Sequence, residues 1–325
     1  MKHLPLIAVL AASPAFSGVE EAANDYILPN LAKFSETARS LNELAQANCE
    51  AETLEDPFHT AFDAWMAISD IRIGPSEHAA LSISFWPDKR GFTEKTLSRY
   101  IAEEDPIVAD QVAFQEASIA ARGFFALERM LYDPDFNDYA EGDYSCALTR
   151  ALTRDLAVQA FNLQAEWADF APTLLNPGAE GNATYLDASE AQRAIYTQLL
   201  ATLEFTTATR LGRPLGEPAR PRPTRAEAWR SERSLRQSLL ATEAAVDLAH
   251  ALANSDLPET DAALAAAREQ ADTITDPSFQ DIEDLTKRLN LELLQQRIEA
   301  VEHAIEVEVG ARFGIAPGFN SSDGD

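Results

Sequence analysis

Apolar residues recur along most of the chain at spacings of three to five positions, which is typical of α-helices that bury one face. The most regular stripe lies near the C-terminal end and joins Ile282, Leu285, Leu289, Leu293, Ile298, Val301, Ile305 and Val309. A second stripe stops at the helix-breaking sequence 176–178 and joins Leu156, Leu163, Trp167, Phe170 and Leu174. Few segments alternate apolar and polar residues with a period of two. The pattern therefore predicts an all-α protein.

The same periodicity predicts further helices at about 19–48, 55–71, 105–131, 188–211, 227–254 and 259–274. Residues 73–92 contain Gly74-Pro75 and Trp86-Pro87, and they predict a long ordered loop. The best domain boundary is the Pro- and Gly-containing stretch 176–186. We therefore predict two helical bundles of about four major helices each, packed across a common interface. The N-terminal bundle would comprise residues 18–176, and the C-terminal bundle residues 187–325.

The first 17 residues have the pattern of a secretory signal peptide. Lys2 and His3 precede a short apolar stretch, and Ala15-Phe16-Ser17 places small residues before a cleavage site after Ser17. The alternative is an ordinary N-terminal helix. No cysteine stands directly after the cleavage site, and no other apolar run is long enough to span a bilayer. We therefore expect a periplasmic protein that is neither a lipoprotein nor a transmembrane protein.

Two cysteines, Cys49 and Cys146, follow the predicted signal peptide. In an oxidising compartment an even pair predicts a disulfide. They lie near the end of one predicted helix and the start of another, and antiparallel helices bring such ends together. Two buried free thiols are the alternative.

The chain is strongly acidic, with 26 Lys and Arg residues against 53 Asp and Glu residues and a net charge of −27. Such a surface repels phosphate backbones and anionic lipids, so nucleic acids and anionic membranes are excluded as general partners. The stretch 212–236 departs from this, because it has seven arginines and three glutamates. Its first part, 212–226, is an Arg/Pro-rich connection. The basic charge of the whole stretch 212–236 predicts either ion pairs within the chain or an anion-binding site.

Several segments, taken in their order along the chain, resemble the imelysin family, also classed as M75 peptidase-like. They are Ala64-Trp65, 71–75 (IRIGP), 85–90 (FWPDKR), 123–131 (GFFALERML), 228–231 (AWRS) and 318–325 (GFNSSDGD). The resemblance implies two helical bundles with a site near their interface. It also implies a link to iron acquisition, and the family's founding description implies a metal-dependent peptidase activity.

The family motif GxHxxE has a counterpart at 123–128. Gly123 and Glu128 match it, and Phe125 stands where the family has histidine. A histidine and a glutamate at i and i+3 share a helix face and can bind one metal ion, whereas phenylalanine offers no ligand atom. The resemblance thus implies an iron or other divalent metal site at Glu128 that has lost one ligand. Alternatively, Glu128 pairs with an arginine of the connection, and 123–131 forms a helix–helix contact.

Aromatic residues next to charged ones are typical of small-ligand pockets, and the matching segments supply several. The candidates beyond the motif are Trp65, Arg72, Trp86, Asp88, Arg90, Trp229, Arg230 and Ser231. The alternative for the loop is purely structural, with Trp86 buried and an Asp88–Arg90 turn contact.

From these features we expect an exported, non-enzymatic binding or accessory protein linked to iron or metal acquisition. Its partner would be a small ligand or a metal ion. A metal-dependent peptidase of the M75 type is one alternative, although Phe125 disfavours catalysis. A structural or interaction subunit of a periplasmic redox complex is another, because related proteins are often encoded beside a di-haem oxidoreductase-like protein.

Overall fold

The computed structural model describes residues 18–315, and within this range the chain forms helices and no strands. The predicted signal peptide 1–17 and the segment 318–325 lie outside the described residues. The regular helical periodicity is thus realised, and the prediction of an all-α protein is confirmed.

The first half of the chain contains eight α-helices in the described range. They are α1 (Val19–Glu21), α2 (Leu28–Ala47), α3 (Ala51–Met66), α4 (Ser76–Ile83), α5 (Phe92–Glu103), α6 (Gln111–Gln115), α7 (Gly123–Tyr132) and α8 (Tyr144–Leu175). A π-helical turn, Ala22–Ile27, joins α1 to α2. Helix α2 packs against α3 and the long α8, and α7 packs against α3 and α8.

The second half continues with five α-helices. They are α9 (Ala188–Phe205), α10 (Gly212–Leu215), α11 (Ser234–Ala253), α12 (Pro258–Ala271) and α13 (Leu285–Glu308). A second π-helical turn, Thr206–Leu211, joins α9 to α10. Helix α13 packs against α12 and α9, and α9 packs against α11. Helix α11 also contacts α3 of the first half. The division into domains at 176–187 stays a prediction.

Two predicted segments differ from the observed elements in the first half. The expected loop 73–92 includes helix α4, and the expected helix 105–131 is broken into short pieces. The breaks have a local cause, because the side chains of Asp105, Asp110 and Ser118 each accept a backbone N–H two residues ahead and start a new turn. Helix α5 was not predicted.

The predicted helix 227–254 begins only at Ser234. Ala228 and Glu232 have φ angles of 47° and 55°, and an α-helix does not accommodate such angles. Residues 228–233 therefore form a turn before α11.

The apolar stripe of the last helix is confirmed at Ile298, Val301 and Ile305, which are buried, but its first part differs from the prediction. Leu285 and Leu289 are 78% and 52% exposed. The buried positions of α13 are Arg288, Leu291, Leu294, Ile298, Val301, Ala304 and Ile305. Spacing alone did not distinguish the two sets, because both repeat with helical periodicity.

The disulfide between Cys49 and Cys146 is present, which excludes the alternative of two free thiols. The S–S distance is 2.05 Å, and the Cα atoms are 5.4 Å apart. Cys49 follows the end of α2, and Cys146 lies in the first turn of α8. These two helices pack together, as the prediction required. None of the described helices combines the length and the hydropathy of a membrane span.

The high acidity of the chain affects the pKa of Glu302 on α13, which lies close to other carboxylates. Burial and the nearby carboxylates of Glu306, Glu204 and Glu299 raise the pKa of Glu302 to about 7. A carboxyl group whose pKa is higher in the folded than in the unfolded state binds its proton more tightly when folded. Its contribution therefore lowers stability as the pH rises from about 4.5 towards 7.

Replacing Glu302 with glutamine is expected to remove this pH dependence. Between pH 4.5 and 7.5 the wild-type protein should lose about 1–3 kcal/mol of unfolding free energy more than the variant does. Urea unfolding at several pH values measures the difference. Glu36→Gln, at an exposed position on α2, is the matched control and should follow the wild type. Identical pH profiles for Glu302→Gln and the wild type would contradict the prediction.

Candidate functional site

Helix α7 begins at Gly123, where the backbone approaches α4 very closely. The φ angle of Gly123 is 69°, and a Cβ atom at this position would lie 2.0 Å from the carbonyl oxygen of Ile83. Only glycine fits both the angle and the contact. The Gly of the predicted motif therefore positions α7 against α4, and it does not contact the cavity described below.

Phe125 places an apolar ring where the family motif has histidine. The side chain is buried, and its ring centroid lies 6.4 Å from that of Trp86 and 5.8 Å from that of Phe62. The preceding Phe124 stacks on Phe62 at 4.2 Å in the core. Phe125 thus packs against the aromatic core of the first half and also lines a cavity.

Glu128 is the buried acid of this helix, with 3% of its surface exposed. Its Oε1 accepts hydrogen bonds from the backbone N–H of Ser231 at 3.1 Å and from the Ser231 hydroxyl at 2.9 Å. Burial raises the pKa of Glu128, against the opposing effect of these hydrogen bonds and of Arg230 and Arg129. Glu128 therefore binds α7 to the turn 228–233, and its partner is a serine and not an arginine.

A cavity of about 140 Å³ lies between α7, the segment 85–93 and the Arg/Pro-rich connection. Six of the predicted site residues line it, namely Trp86, Asp88, Phe125, Glu128, Trp229 and Arg230. Three further arginines also line it, namely Arg213 and Arg225 of the Arg/Pro-rich connection and Arg129 of α7. We refer to this space as the arginine cavity.

Asp88 has a structural role at the edge of the arginine cavity. Its carboxylate accepts backbone N–H groups of Arg90 at 3.2 Å and of Thr93 at 2.8 Å. Although burial raises the pKa of Asp88, these hydrogen bonds hold it below the usual value. The carboxylate is therefore ionised and caps the start of α5.

The remaining predicted residues lie away from the arginine cavity. Trp65 is buried in the core and donates its indole N–H to Ser84 Oγ at 3.2 Å. The side chains of Arg72 and Arg90 are exposed. Ser231 lies behind Glu128 and borders a second, wider cavity of about 630 Å³.

The second cavity contains a polar cluster that the sequence did not indicate. The buried Arg233 donates to His59 Nδ1 at 2.9 Å and to Asp63 Oδ1 at 2.5 Å. Because arginine only donates, His59 Nδ1 is the acceptor, and Nε2 carries the proton towards the Tyr132 oxygen 3.0 Å away. Burial, then Arg233 and Arg236, lower the pKa of His59 and keep its ring neutral. A local pattern could not reveal this contact, because residues 59 and 233 are 174 positions apart.

A third buried charge cluster lies at the π-helical turn Thr206–Leu211. Arg210 Nε donates to Glu227 Oε2 at 2.8 Å, and Arg210 Nη1 lies 2.9 Å from Asp70 Oδ2. Burial alone would lower the pKa of Arg210, but the two carboxylates raise it above its usual value. The guanidinium thus links Asp70, in the turn after α3, to Glu227, directly after the Arg/Pro-rich connection.

Three of the seven arginines of 212–236 form ion pairs within residues 18–315. Arg230, Arg233 and Arg236 form ion pairs with carboxylates of the first half, Arg230 with Asp133 and the other two with Asp63. Within residues 18–315, Arg213 and Arg225 have no carboxylate within ion-pair distance. Pairing within the chain therefore accounts for only part of the segment.

The residues around Glu128 do not fit a metal ion. The other carboxylate of the arginine cavity, Asp88, already accepts two backbone N–H groups, and the remaining charged groups are guanidinium cations. In the described part of the chain, three side chains of metal-ligand type come together only at Cys49, Glu141 and Cys146, whose sulfurs form the disulfide. One carboxylate among cations is a poor site for iron or zinc.

Comparison with known proteins places the fold in a family. The sequence profile described as Imelysin, Peptidase_M75, matches residues 27–305, and the chain therefore belongs to the imelysin family. No curated protein sequence matches the chain.

Two solved structures share the fold. An imelysin-like protein from Psychrobacter arcticum 273-4 has a TM-score of 0.76 at 17% identity, with 93% of this chain and 96% of that chain covered. A candidate iron-regulated protein A precursor from Parabacteroides distasonis ATCC 8503 has a TM-score of 0.60 at 14% identity, with 92% and 97% covered. At these identities the likeness establishes the fold alone.

Proposed function

We propose that this imelysin-family protein is an exported, non-enzymatic binding or accessory protein of iron or metal acquisition, and that the arginine cavity is its working site. The observation that carries the proposal is the chemistry of that cavity. It combines aromatic walls with guanidinium groups, which suits ligand binding. Among residues 18–315, its lining includes neither a set of metal ligands nor an activated nucleophile. The disulfide and the predicted signal peptide support export.

Peptidase activity is the less favoured alternative. The Ser231 hydroxyl lies next to Glu128, but Ser231 is buried. Its single proton is donated either to Glu128 or to the carbonyl oxygen of Ala228. A nucleophile needs an open approach to the substrate. Purified protein supplied with zinc or iron is therefore expected to leave unfolded casein intact, and chelator-sensitive cleavage would contradict the proposal.

A variant that blocks the arginine cavity tests its role in the cell. Thr224 is exposed and lines the cavity, so Thr224→Trp should fill the entrance without disturbing the core. In a deletion strain grown under iron limitation, the wild-type gene should restore growth and the Thr224→Trp gene should not. Thr286→Trp, at an exposed position of α13 that does not line the cavity, is the matched control and should restore growth.

Two outcomes would overturn the proposal. Full growth of the deletion strain under iron limitation would remove the link to metal acquisition. Full restoration by Thr224→Trp, with the variant present at wild-type level, would show that the cavity is not the working site.

A further inference from the structure

The arginine cavity has an unbalanced charge. Of its four arginines, Arg129 pairs with Glu94 and Asp133, and Arg230 pairs with Asp133. Across residues 18–315, neither Arg213 nor Arg225 forms an ion pair, although both line the cavity. Two uncompensated cations therefore face one small space in a protein of net charge −27.

The position of Arg213 makes this imbalance costly in the absence of a ligand. Its Nε is buried and has no hydrogen-bond partner, and its guanidinium lies 5.8 Å from the centroid of the Trp86 ring. Burial, and then the like charge of Arg225, lower the pKa of Arg213. A buried donor without an acceptor is unfavourable, and so are two neighbouring cations. An anion between the two guanidinium groups would relieve both.

The two carboxylates of the cavity do not fill this role. Asp88 accepts the backbone N–H groups of Arg90 and Thr93, and Glu128 accepts both donors of Ser231. Each carboxylate therefore already accepts other donors, and within residues 18–315 neither forms an ion pair with Arg213 or Arg225. The acceptor that these arginines lack would have to come from outside residues 18–315.

The walls of the cavity indicate what the anion carries. The rings of Trp86, Phe125 and Trp229 line the same space as the arginines. Such apolar surface favours carbon over a fully hydrated inorganic ion. The volume of about 140 Å³ corresponds to a few water molecules, since each occupies about 30 Å³ in the liquid. A small molecule fits, and a folded peptide does not.

Resting on the proposal that the arginine cavity is the working site, we propose that its ligand is a small organic carboxylate and not a bare metal ion. Arg213 and Arg225 bind the carboxylate group, since a guanidinium matches a carboxylate in a two-point hydrogen bond. The rings of Trp86 and Trp229 pack against the carbon skeleton.

Calorimetric titration of the purified protein with benzoate, succinate and inorganic phosphate tests this assignment. At least one of the two carboxylates should bind with one-to-one stoichiometry, and phosphate should bind at least tenfold more weakly. Arg213→Gln and Arg225→Gln should each weaken carboxylate binding at least tenfold. Arg220→Gln is the matched control, because Arg220 is an exposed arginine of the same connection that does not line the cavity, and it should bind within twofold of the wild type.

Three outcomes would overturn the inference. They are the absence of carboxylate binding by the wild type, equal binding of phosphate, and unchanged binding by both glutamine variants. Circular dichroism is the check that each variant folds. Because Arg225 is exposed, Arg225→Gln remains informative if Arg213→Gln does not fold. The growth experiment with Thr224→Trp is independent of ligand identity. Full growth of the deletion strain under iron limitation, with carboxylate binding intact, would refute the role in metal acquisition and leave the ligand assignment standing.

Discussion

Replacing Arg210 with methionine is expected to lower the free energy of unfolding by about 3–5 kcal/mol at neutral pH. The guanidinium is buried and lies 2.8 Å from Glu227 Oε2 and 2.9 Å from Asp70 Oδ2. Methionine fills a similar volume but leaves the two acids without their cation. An unpaired buried charge costs far more than a lost surface ion pair. Urea unfolding at pH 7 measures the loss.

The pH dependence of this loss identifies its cause. Burial already raises the pKa of Glu227, and without Arg210 that pKa should rise further. A carboxyl group with a raised folded pKa destabilises the protein increasingly as the pH rises above about 4.5. The deficit of the variant should therefore be smallest at acidic pH and largest near neutrality.

An exposed ion pair provides the control. Arg39→Met removes the Arg39–Glu43 pair on α2, where both side chains are more than half exposed, and should cost less than about 1 kcal/mol. A loss of only that size for Arg210→Met, or one that does not change with pH, would show that water replaces the guanidinium.

Removing the disulfide through the double change Cys49→Ser and Cys146→Ser is expected to lower the free energy of unfolding by about 2–5 kcal/mol. The two cysteines are 97 residues apart, so the bond closes a long loop of the unfolded chain. Without the bond the unfolded chain gains conformational freedom, and the folded state loses the covalent link between α2 and α8. Chemical unfolding of both proteins under oxidising conditions measures the effect.

Reduction of the wild type is the matching control for this second prediction. With the disulfide reduced, the wild-type protein should unfold at the midpoint of the double variant. Equal midpoints for the oxidised wild type and the double variant would mean that the bond does not constrain the unfolded chain. A midpoint that moves on reduction of the double variant would point to an effect of the reductant itself.

The sequence predicted the helical class well, because a buried helix face leaves a regular apolar spacing. Helix α8 ends at Leu175, directly before Asn176-Pro177-Gly178, as these helix breakers indicate. The interruptions within 105–131 could not be predicted in the same way. Asp105 and Asp110 are equally compatible with the polar face of a helix, and only the folded backbone shows them accepting N–H groups at helix starts.

Part of the candidate site could be predicted from the sequence, but for a different reason. Trp86, Phe125 and Trp229 are far apart in sequence, and the order of family-like segments was the signal that associated them. The charge of the stretch 212–236 indicated either ion pairs or an anion site. Arg230, Arg233 and Arg236 form ion pairs, whereas Arg213 and Arg225 form none within residues 18–315. The cluster of His59 with Arg233 was missed, because a buried long-range hydrogen bond leaves no local pattern.

The π-helical turn Thr206–Leu211 has a consequence for how this site is encoded. A π-helical turn amounts to one extra residue in an α-helix. Deleting one residue there would restore a continuous α-helix and rotate everything that follows by about 100°. Arg213 would then point away from the cavity even though no charged residue had been lost. The direction of the guanidinium groups is thus set by the register of the backbone as well as by side-chain identity, and a single-residue gap can change the site as much as a substitution.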